Sequence, residues 1–391
     1  MVANVKDKAV IVGIGNTAFS KDSGVSELSL AVQAIKAALD DAGLHPSAVD
    51  GMATFTMDTN DEIEVARALG VGEMTFYGRS HYGGGAATSC LHQATMAVAT
   101  GMAETVVVYR ALNGRSGHRF SSGVSGDITT SDAIHWGWYM PYGLLTPASW
   151  VAMFTQRWMH ITGVTKDALY EVAKTTRDYG ANNPAAFFHG RTFDRAEYDA
   201  ARMIADPLQL FDCCQESDGG SAIIVTTPER ARDLKQPGVA VRGVAQCAAK
   251  DQEQMTSFYR EEFAGIPEME RASQNVYAMS GLAPDDLDAA VIYDAFSPIV
   301  LWQLEAWGLC GYGESGDFVK DGALRSDGRL PTNTHGGQLS EAYIHGVNGI
   351  VEATRLVRGQ SLNQPNKDVN HALVTSGVGI PTGGALLGKL D

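Results

Sequence analysis

The chain has no Cys-x-x-Cys pair, no run of apolar residues near the ~18 that cross a bilayer, and no concentrated basic segment. Each absence removes a class of function. Five cysteines (Cys90, Cys213, Cys214, Cys247 and Cys310) are an odd number without zinc-type spacing, which predicts reduced, mostly buried thiols and no metal site. With 30 Lys and Arg against 45 Asp and Glu, the formal charge of -15 argues against a nucleic-acid partner, whose phosphates need a concentrated basic face. Small anionic ligands stay open, because a few local cations suffice for them. The opening MVANVKDKAVIVGIG lacks a basic region followed by a long apolar stretch, so a cytoplasmic protein without membrane insertion is expected.

What is present is the composition of an ordinary globular protein, 45% hydrophobic and 19% charged over 391 residues. That length suits two packed lobes or a duplicated domain better than one core. Apolar periodicity predicts buried strands at Lys8 to Gly13, Glu104 to Tyr109, Val239 to Val244, Ala289 to Tyr293 and, as the final strand, His371 to Ser376. Helices are predicted over Glu27 to Ala42, from Gly83-Gly84-Gly85 into AATSCLHQATMAVATGMA, over Ala272 to Ser280, and over Tyr343 to Arg358. "AGLHPSAVDG" (Ala42 to Gly51) recurs as "SGLAPDDLDA" (Ser280 to Ala289), each a Gly-capped helix end, a Pro-led turn and an Asp before a strand. A duplicated α/β unit follows, with halves 1–237 and 238–391. The first half carries an aromatic, loop-rich insertion at about 113–220, with helices at Ser149 to Thr162 and Lys166 to Tyr179; it is a candidate lid.

Several motifs invite a chemical reading. "GIGNTA" (Gly13 to Ala18) fits a loose dinucleotide fingerprint, but FSKDSGVSE separates it from the next helix, so no nicotinamide cofactor is expected. The glycines at 83–85 open a helix whose free N–H groups favour an anion, and the residue before them is Tyr82. Cys90 lies two turns inside that helix and reads as a structural thiol, as do Cys213 and Cys214. Tyr293 ends a strand in "AVIYDAFSPIV", where open α/β sheets place ligands; the competing reading is a core aromatic bonded to backbone. "THGGQLSEAYIHGVNGI" (Thr334 to Ile350) presents Tyr343 in a glycine frame, flanked by His335 and His345.

Taken together, "AVIVGIGNTAFSK", "HYGGGAATSCLHQA", "TPASWVAMFTQRWMHITG", "ADPLQLFDCCQESDGGSAIIV", "YDAFSPI", "HGGQLSEAYIHGVNG" and "TSGVGIPTGGALLG" resemble the thiolase superfamily in its lipid-transfer or sterol-carrier-type branch. The resemblance implies an α/β thiolase fold, two βαβαβαββ halves in a five-layered αβαβα arrangement, normally dimeric. Thiolases carry a nucleophilic Cys, an Asn, a His and a second Cys at positions that read here as Tyr82, Tyr293, Tyr343 and a Cys-free "SGVGIPTGG". Without a positioned thiol, an acyl-cysteine is excluded.

With "FTMDTNDEIEVARALG" and "YRALNGRSGHRF", this pattern is similar to the steroid side-chain-cleaving aldolases of bacterial sterol degradation. Their implied reaction is retro-aldol cleavage of a 17-hydroxy steroid propionyl-CoA to the 17-ketone and propionyl-CoA, with CoA as part of the substrate and no further cofactor. Their implied assembly is a homodimer core joined by a zinc-ribbon and OB-fold protein into a heterotetramer. Tyr293 and Tyr343 are the expected acid/base pair, provided the environment lowers one phenol pKa from its usual ~10. Gly336, Gly337, Gly377 and Gly379 are candidate backbone donors to the thioester oxygen, and Asp294, His335, His345 and Tyr82 are candidate supporting residues. The alternatives are a non-catalytic acyl-CoA or lipid-binding scaffold of the same fold, or an aldolase for another branched 3-hydroxyacyl-CoA.

Overall fold

The computed structural model describes residues 5–81, 83–117, 119, 136–253, 256–378 and 381–390. Runs rich in Val, Ile and Ala form buried strands, because branched side chains fit a pleated surface packed on both faces. The strands are Val10–Asn16 (β1), Gly51–Phe55 (β2), the less buried Phe76–Ser80 (β3), Thr105–Asn113 (β4), the less buried Met203–Ala205 (β5), Leu208–Gln209 (β6), Asp218–Thr226 (β7), Val239–Cys247 (β8), Ala289–Val291 (β9), His371–Ser376 (β10) and Thr382–Lys389 (β11). The longer helices are Glu27–Ala42 (α1), Glu62–Leu69 (α2), Ala86–Ala99 (α3), Pro147–Thr162 (α4), Lys166–Asn182 (α5), Pro267–Ser280 (α6), Ser297–Ala306 (α7) and Val347–Arg358 (α8). Local chemistry sets their ends: Ser26 caps α1 by accepting from the Ser29 N–H, and Thr146 with Ser149 forms a capping box on α4.

Strand pairing shows the duplication. In the first half β2 runs parallel to β4, β4 antiparallel to β7, and β7 antiparallel to β1. In the second half β9 runs parallel to β10, β10 antiparallel to β11, and β11 antiparallel to β8. The two half-sheets join where Val10 and Ile11 pair with Ala240 and Val239. α3 packs on β2, β3 and β4 of one half-sheet and on β8, β10 and β11 of the other, and α8 likewise touches strands of both. α1 covers the outer face of the first half-sheet and α6 that of the second. Helix, sheet, helix, sheet and helix therefore succeed one another, the five-layered α/β arrangement expected. Alanines 86, 87, 94 and 97 give α3 the slim surface a helix between two sheets needs, and Cys90 and Leu91 share one buried cluster with Phe55 and Val106.

Two predicted elements change. The helix after the tyrosine loop starts at Val347 and not at Tyr343, because His345 (φ 51) and Gly346 (φ 91) adopt left-handed backbone that a right-handed helix excludes. His371 to Ser376 is not the last strand; β11 follows and pairs with both β10 and β8. Its glycines at 383, 384 and 388 depress strand propensity, and burial between two neighbours overrides it. The insertion helix α5 lies against the Gly337–Glu341 turn and α7. No helix among the described residues is long and apolar enough to cross a membrane.

Candidate active site

Tyr293 follows β9, and side chains grip the backbone around it on both sides. Asn333 Oδ1 accepts from the Ile292 N–H at 2.8 Å while Asn333 Nδ2 donates to Ile292 O at 2.9 Å. The Tyr293 N–H donates to Thr375 Oγ1 at 3.0 Å, and Gln303 Nε2 donates to Tyr293 O at 2.7 Å. Thr375 and Gln303 are themselves joined at 2.6 Å. So anchored, the ring is 4% exposed and its hydroxyl reaches the start of α3: a Cβ on Gly84 would lie 1.9 Å from Tyr293 Oη. Only glycine leaves room there.

Tyr343 comes from the loop that leads to α8. Its Gly337–Glu341 turn has π-helical character, and Asp294, next to Tyr293, holds it by accepting from the Gln338 N–H at 2.6 Å and the Leu339 N–H at 3.3 Å. A Cβ on Gly337 would fall 2.0 Å from Asp294 Oδ2, so the carboxylate fits against bare backbone. Gln338 carries the constraint onward: its Oε1 accepts from the Ile344 N–H at 3.2 Å and its Nε2 donates to Asn348 Oδ1 at 3.1 Å. On the other side the Tyr343 N–H donates to Ser217 Oγ at 3.4 Å, and Glu216 pairs with Tyr343 in a parallel bridge. The two loops converge so that Tyr293 Oη donates to Tyr343 Oη at 3.3 Å.

The expected lowering of one phenol pKa is not found. Burial pushes both phenols up, Tyr293 well above its ordinary value, and no cation among the described residues is bonded to either oxygen to offset it. Their mutual hydrogen bond separates them: it opposes ionisation of Tyr293, the donor, and favours that of Tyr343, the acceptor. The Arg110 guanidinium works in the same direction on Tyr343. Burial holds Asp294 at about 7 despite the N–H groups that donate to it.

The other candidates separate into distinct environments. The His345 ring meets Tyr343 edge-on at 4.9 Å, and its Nδ1 accepts from Arg110 Nε at 3.2 Å. His335 is not brought to the pair; it lies 3.8 Å from Glu341 and is driven down to about 3 by burial and the Arg355 charge. Gly336 is no free donor, since its N–H is bonded to Asn333 O at 2.8 Å. A Cβ on Gly377 would meet Met269 and Thr382, while one on Gly85 would strike Pro381 O, so the final glycine-rich loop abuts the start of α3. Tyr82 and Gly379 lie outside the described residues.

Three participants escaped the sequence reading. Arg110 and Asp58 form a buried ion pair at 3.1 Å beneath His345. A lone Arg in the apolar run TVVVYRALN was the signal that could have found it. Cys214, read as core, is half-buried with a thiol pushed well up by desolvation, and its charge would bear on both tyrosines. Its N–H donates to Ala295 O at 2.9 Å, threading segment 213–217 between the two tyrosine loops. Cys90 is the structural thiol expected, donating to Thr54 O.

Known proteins resemble this chain in sequence and in fold. The thiolase C-terminal domain-like family matches residues 249–385. The chain is 54% identical to the steroid side-chain-cleaving aldolase of Thermomonospora curvata over 97% of each chain. It is 52% identical to the 17-hydroxy-3-oxo-4-pregnene-20-carboxyl-CoA lyase of Mycobacterium tuberculosis, covering 97% of this chain and 99% of that one. The solved Ltp2-ChsH2(DUF35) aldolase superimposes with a TM-score of 0.95 at 53% identity, covering 100% of both chains. The chain belongs to the steroid side-chain-cleaving aldolase family, lyases built on the thiolase fold.

Proposed function

We propose that this chain cleaves a 17-hydroxy steroid bearing a propionyl-CoA side chain into the 17-ketone and propionyl-CoA. The observation that carries the reading is the phenol pair, 3.3 Å apart, on the two loops that converge at the start of α3. Tyr343, the more readily ionised phenol, takes the proton of the tertiary hydroxyl as its phenolate. The carbon–carbon bond breaks, its electrons pass into the thioester as an enolate, and the hydroxyl carbon becomes the ketone. Tyr293 then protonates the enolate carbon, and the Tyr293–Tyr343 hydrogen bond returns the proton to Tyr293 for the next turnover. No covalent carrier is needed, so thiols have no step to perform. CoA is part of the substrate, and no cofactor enters.

The chain is also proposed to act in the cytoplasm as a homodimer core joined by a DUF35-type zinc-ribbon and OB-fold partner. Support comes from the related Ltp2-ChsH2(DUF35) aldolase, whose name pairs it with a DUF35 protein. The test is to incubate the chain, with and without that partner, with the 17-hydroxy steroid propionyl-CoA thioester and to follow the 17-ketone and propionyl-CoA. Both products in equal amounts support the reading. Absence of cleavage with the partner present would point to a non-catalytic acyl-CoA-binding subunit.

A further inference from the structure

His345 sits in strained backbone beside the phenol pair, in a setting that leaves its ring no freedom. Its φ of 51 places a non-glycine residue in the left-handed region, a conformation retained where surrounding contacts impose it. The contacts are visible. The imidazole stacks on Phe55 at 6.0 Å with an interplanar angle of 29° and meets the Tyr343 ring edge-on. Arg110, 3% exposed and on β4, donates from Nε to His345 Nδ1. Its Nη1 donates to Asp58 Oδ2 at 3.1 Å and to Ala111 O at 2.9 Å, which fixes the guanidinium plane.

A guanidinium only donates hydrogen bonds, so His345 Nδ1 must be the acceptor and the ring proton must be on Nε2. Nε2 has no hydrogen-bond partner among the described residues, and it faces the backbone that opens α3: a Cβ on Gly83 would lie 3.8 Å from it. The neighbouring Gly84 is where Tyr293 Oη arrives. Burial and the Arg110 charge keep the imidazole neutral, with Asp58, Phe55 and Tyr343 as its other neighbours.

We propose that His345 is a further catalytic residue: held with its proton on Nε2, it donates a hydrogen bond to the thioester oxygen as the enolate forms. Arg110 is then a positioning residue acting through it. This rests on the retro-aldol reading above. His345 transfers no proton; Tyr343 accepts one and Tyr293 supplies one, and the imidazole stabilises the charge that develops on oxygen between those events.

The experiment has two arms on the full chain with its partner. Nitrogen-15 NMR of labelled histidine is expected to show His345 as the Nε2–H tautomer, unchanged between about pH 6 and 8. Arg110→Met is expected to release part of that population to Nδ1–H. In kinetics, His345→Phe is expected to lower kcat by ~10²–10³ with KM within about threefold, and His345→Gln, which keeps an N–H donor, to recover part of the loss. An imidazolium or an Nδ1–H tautomer in the wild type overturns the proposal, as does a folded His345→Phe variant with wild-type kcat. If His345→Phe does not fold, Arg110→Met decides: a tautomer shift with unchanged kcat refutes the role. The NMR arm needs no substrate. A wild type inactive on the steroid thioester sinks the retro-aldol reading, whereas an active wild type matched by His345→Phe sinks the role of His345 alone.

Discussion

The two helices of the central layer, α3 and α8, begin in opposite ways. α3 opens after three glycines that leave space, and its one thiol, Cys90, lies deep in the core, pushed up to about 12 by burial. α8 opens after Tyr343, Ile344, His345 and Gly346, and the side chains there meet Tyr293 and Arg110. One half thus contributes room and backbone, together with the Arg110–Asp58 pair, and the other contributes the proton-transfer groups. A duplicated frame assigns chemistry through the few residues at its helix starts, and among the described residues the proton-transfer pair comes from the second half.

The sharpest way to break this asymmetry is to remove the phenols. Tyr293→Phe and Tyr343→Phe are each expected to lower kcat for thioester cleavage by ~10²–10⁴ while circular dichroism stays native. Because burial raises Tyr343, its phenolate is scarce at neutral pH, so wild-type kcat/KM should rise about tenfold per unit from pH ~6 to ~9. A flat profile there would remove the phenolate base. Next in size is Gly84→Ala, which tests the contribution of the glycine start. Its methyl would occupy the place of Tyr293 Oη and displace the phenol, and a loss of ~10²-fold in kcat is expected from misplacement on the order of 1 Å.

A smaller effect, about tenfold in kcat, is expected for Asp294→Asn, whose amide keeps one acceptor for the Gln338 turn and loses the other. This substitution also carries a pH signature. A carboxyl held at about 7 in the fold against ~3.9 in the unfolded chain keeps its proton more readily when folded. Its stabilising contribution is full below about pH 4 and is lost as pH rises through about 7, so urea unfolding should show a flatter pH dependence in the variant than in the wild type over that range. Smallest of all, Cys90→Ala should leave kcat within about twofold and cost about 1 kcal/mol in unfolding free energy, as a buried packing change without a chemical role. A large kcat loss at Cys90 would return a thiol to the mechanism and dissolve the contrast between the two starts.

The elements legible in the sequence are those whose signals are local. Glu27–Ala42 is delimited by its Ser cap and closing glycine, and His371–Ser376 by its apolar run between polar ends. β11 is hidden because glycines mask a strand whose order comes from its two neighbours. Tyr293 and Tyr343 stand out because each lies in a recognisable loop frame, and the structure brings them together. Cys214 and Asp58 give no such signal, and Arg110 only its place in an apolar run, because each acts on a residue far away in the chain.

By itself the sequence determined an α/β class of fold, the lack of a thiol before the glycines of α3, and Tyr293 and Tyr343 in two loop frames. These rest on periodicity, composition and the identity of residues in short motifs, all local properties. Only the tertiary structure decided that Tyr293 donates to Tyr343, that Arg110 dictates which nitrogen of His345 holds the proton, and that Asp294 ties the two loops into one unit. Those are distances and burial between residues 44 to 235 positions apart, and desolvation, which moves every pKa described in the site, does not exist until the chain has closed around them.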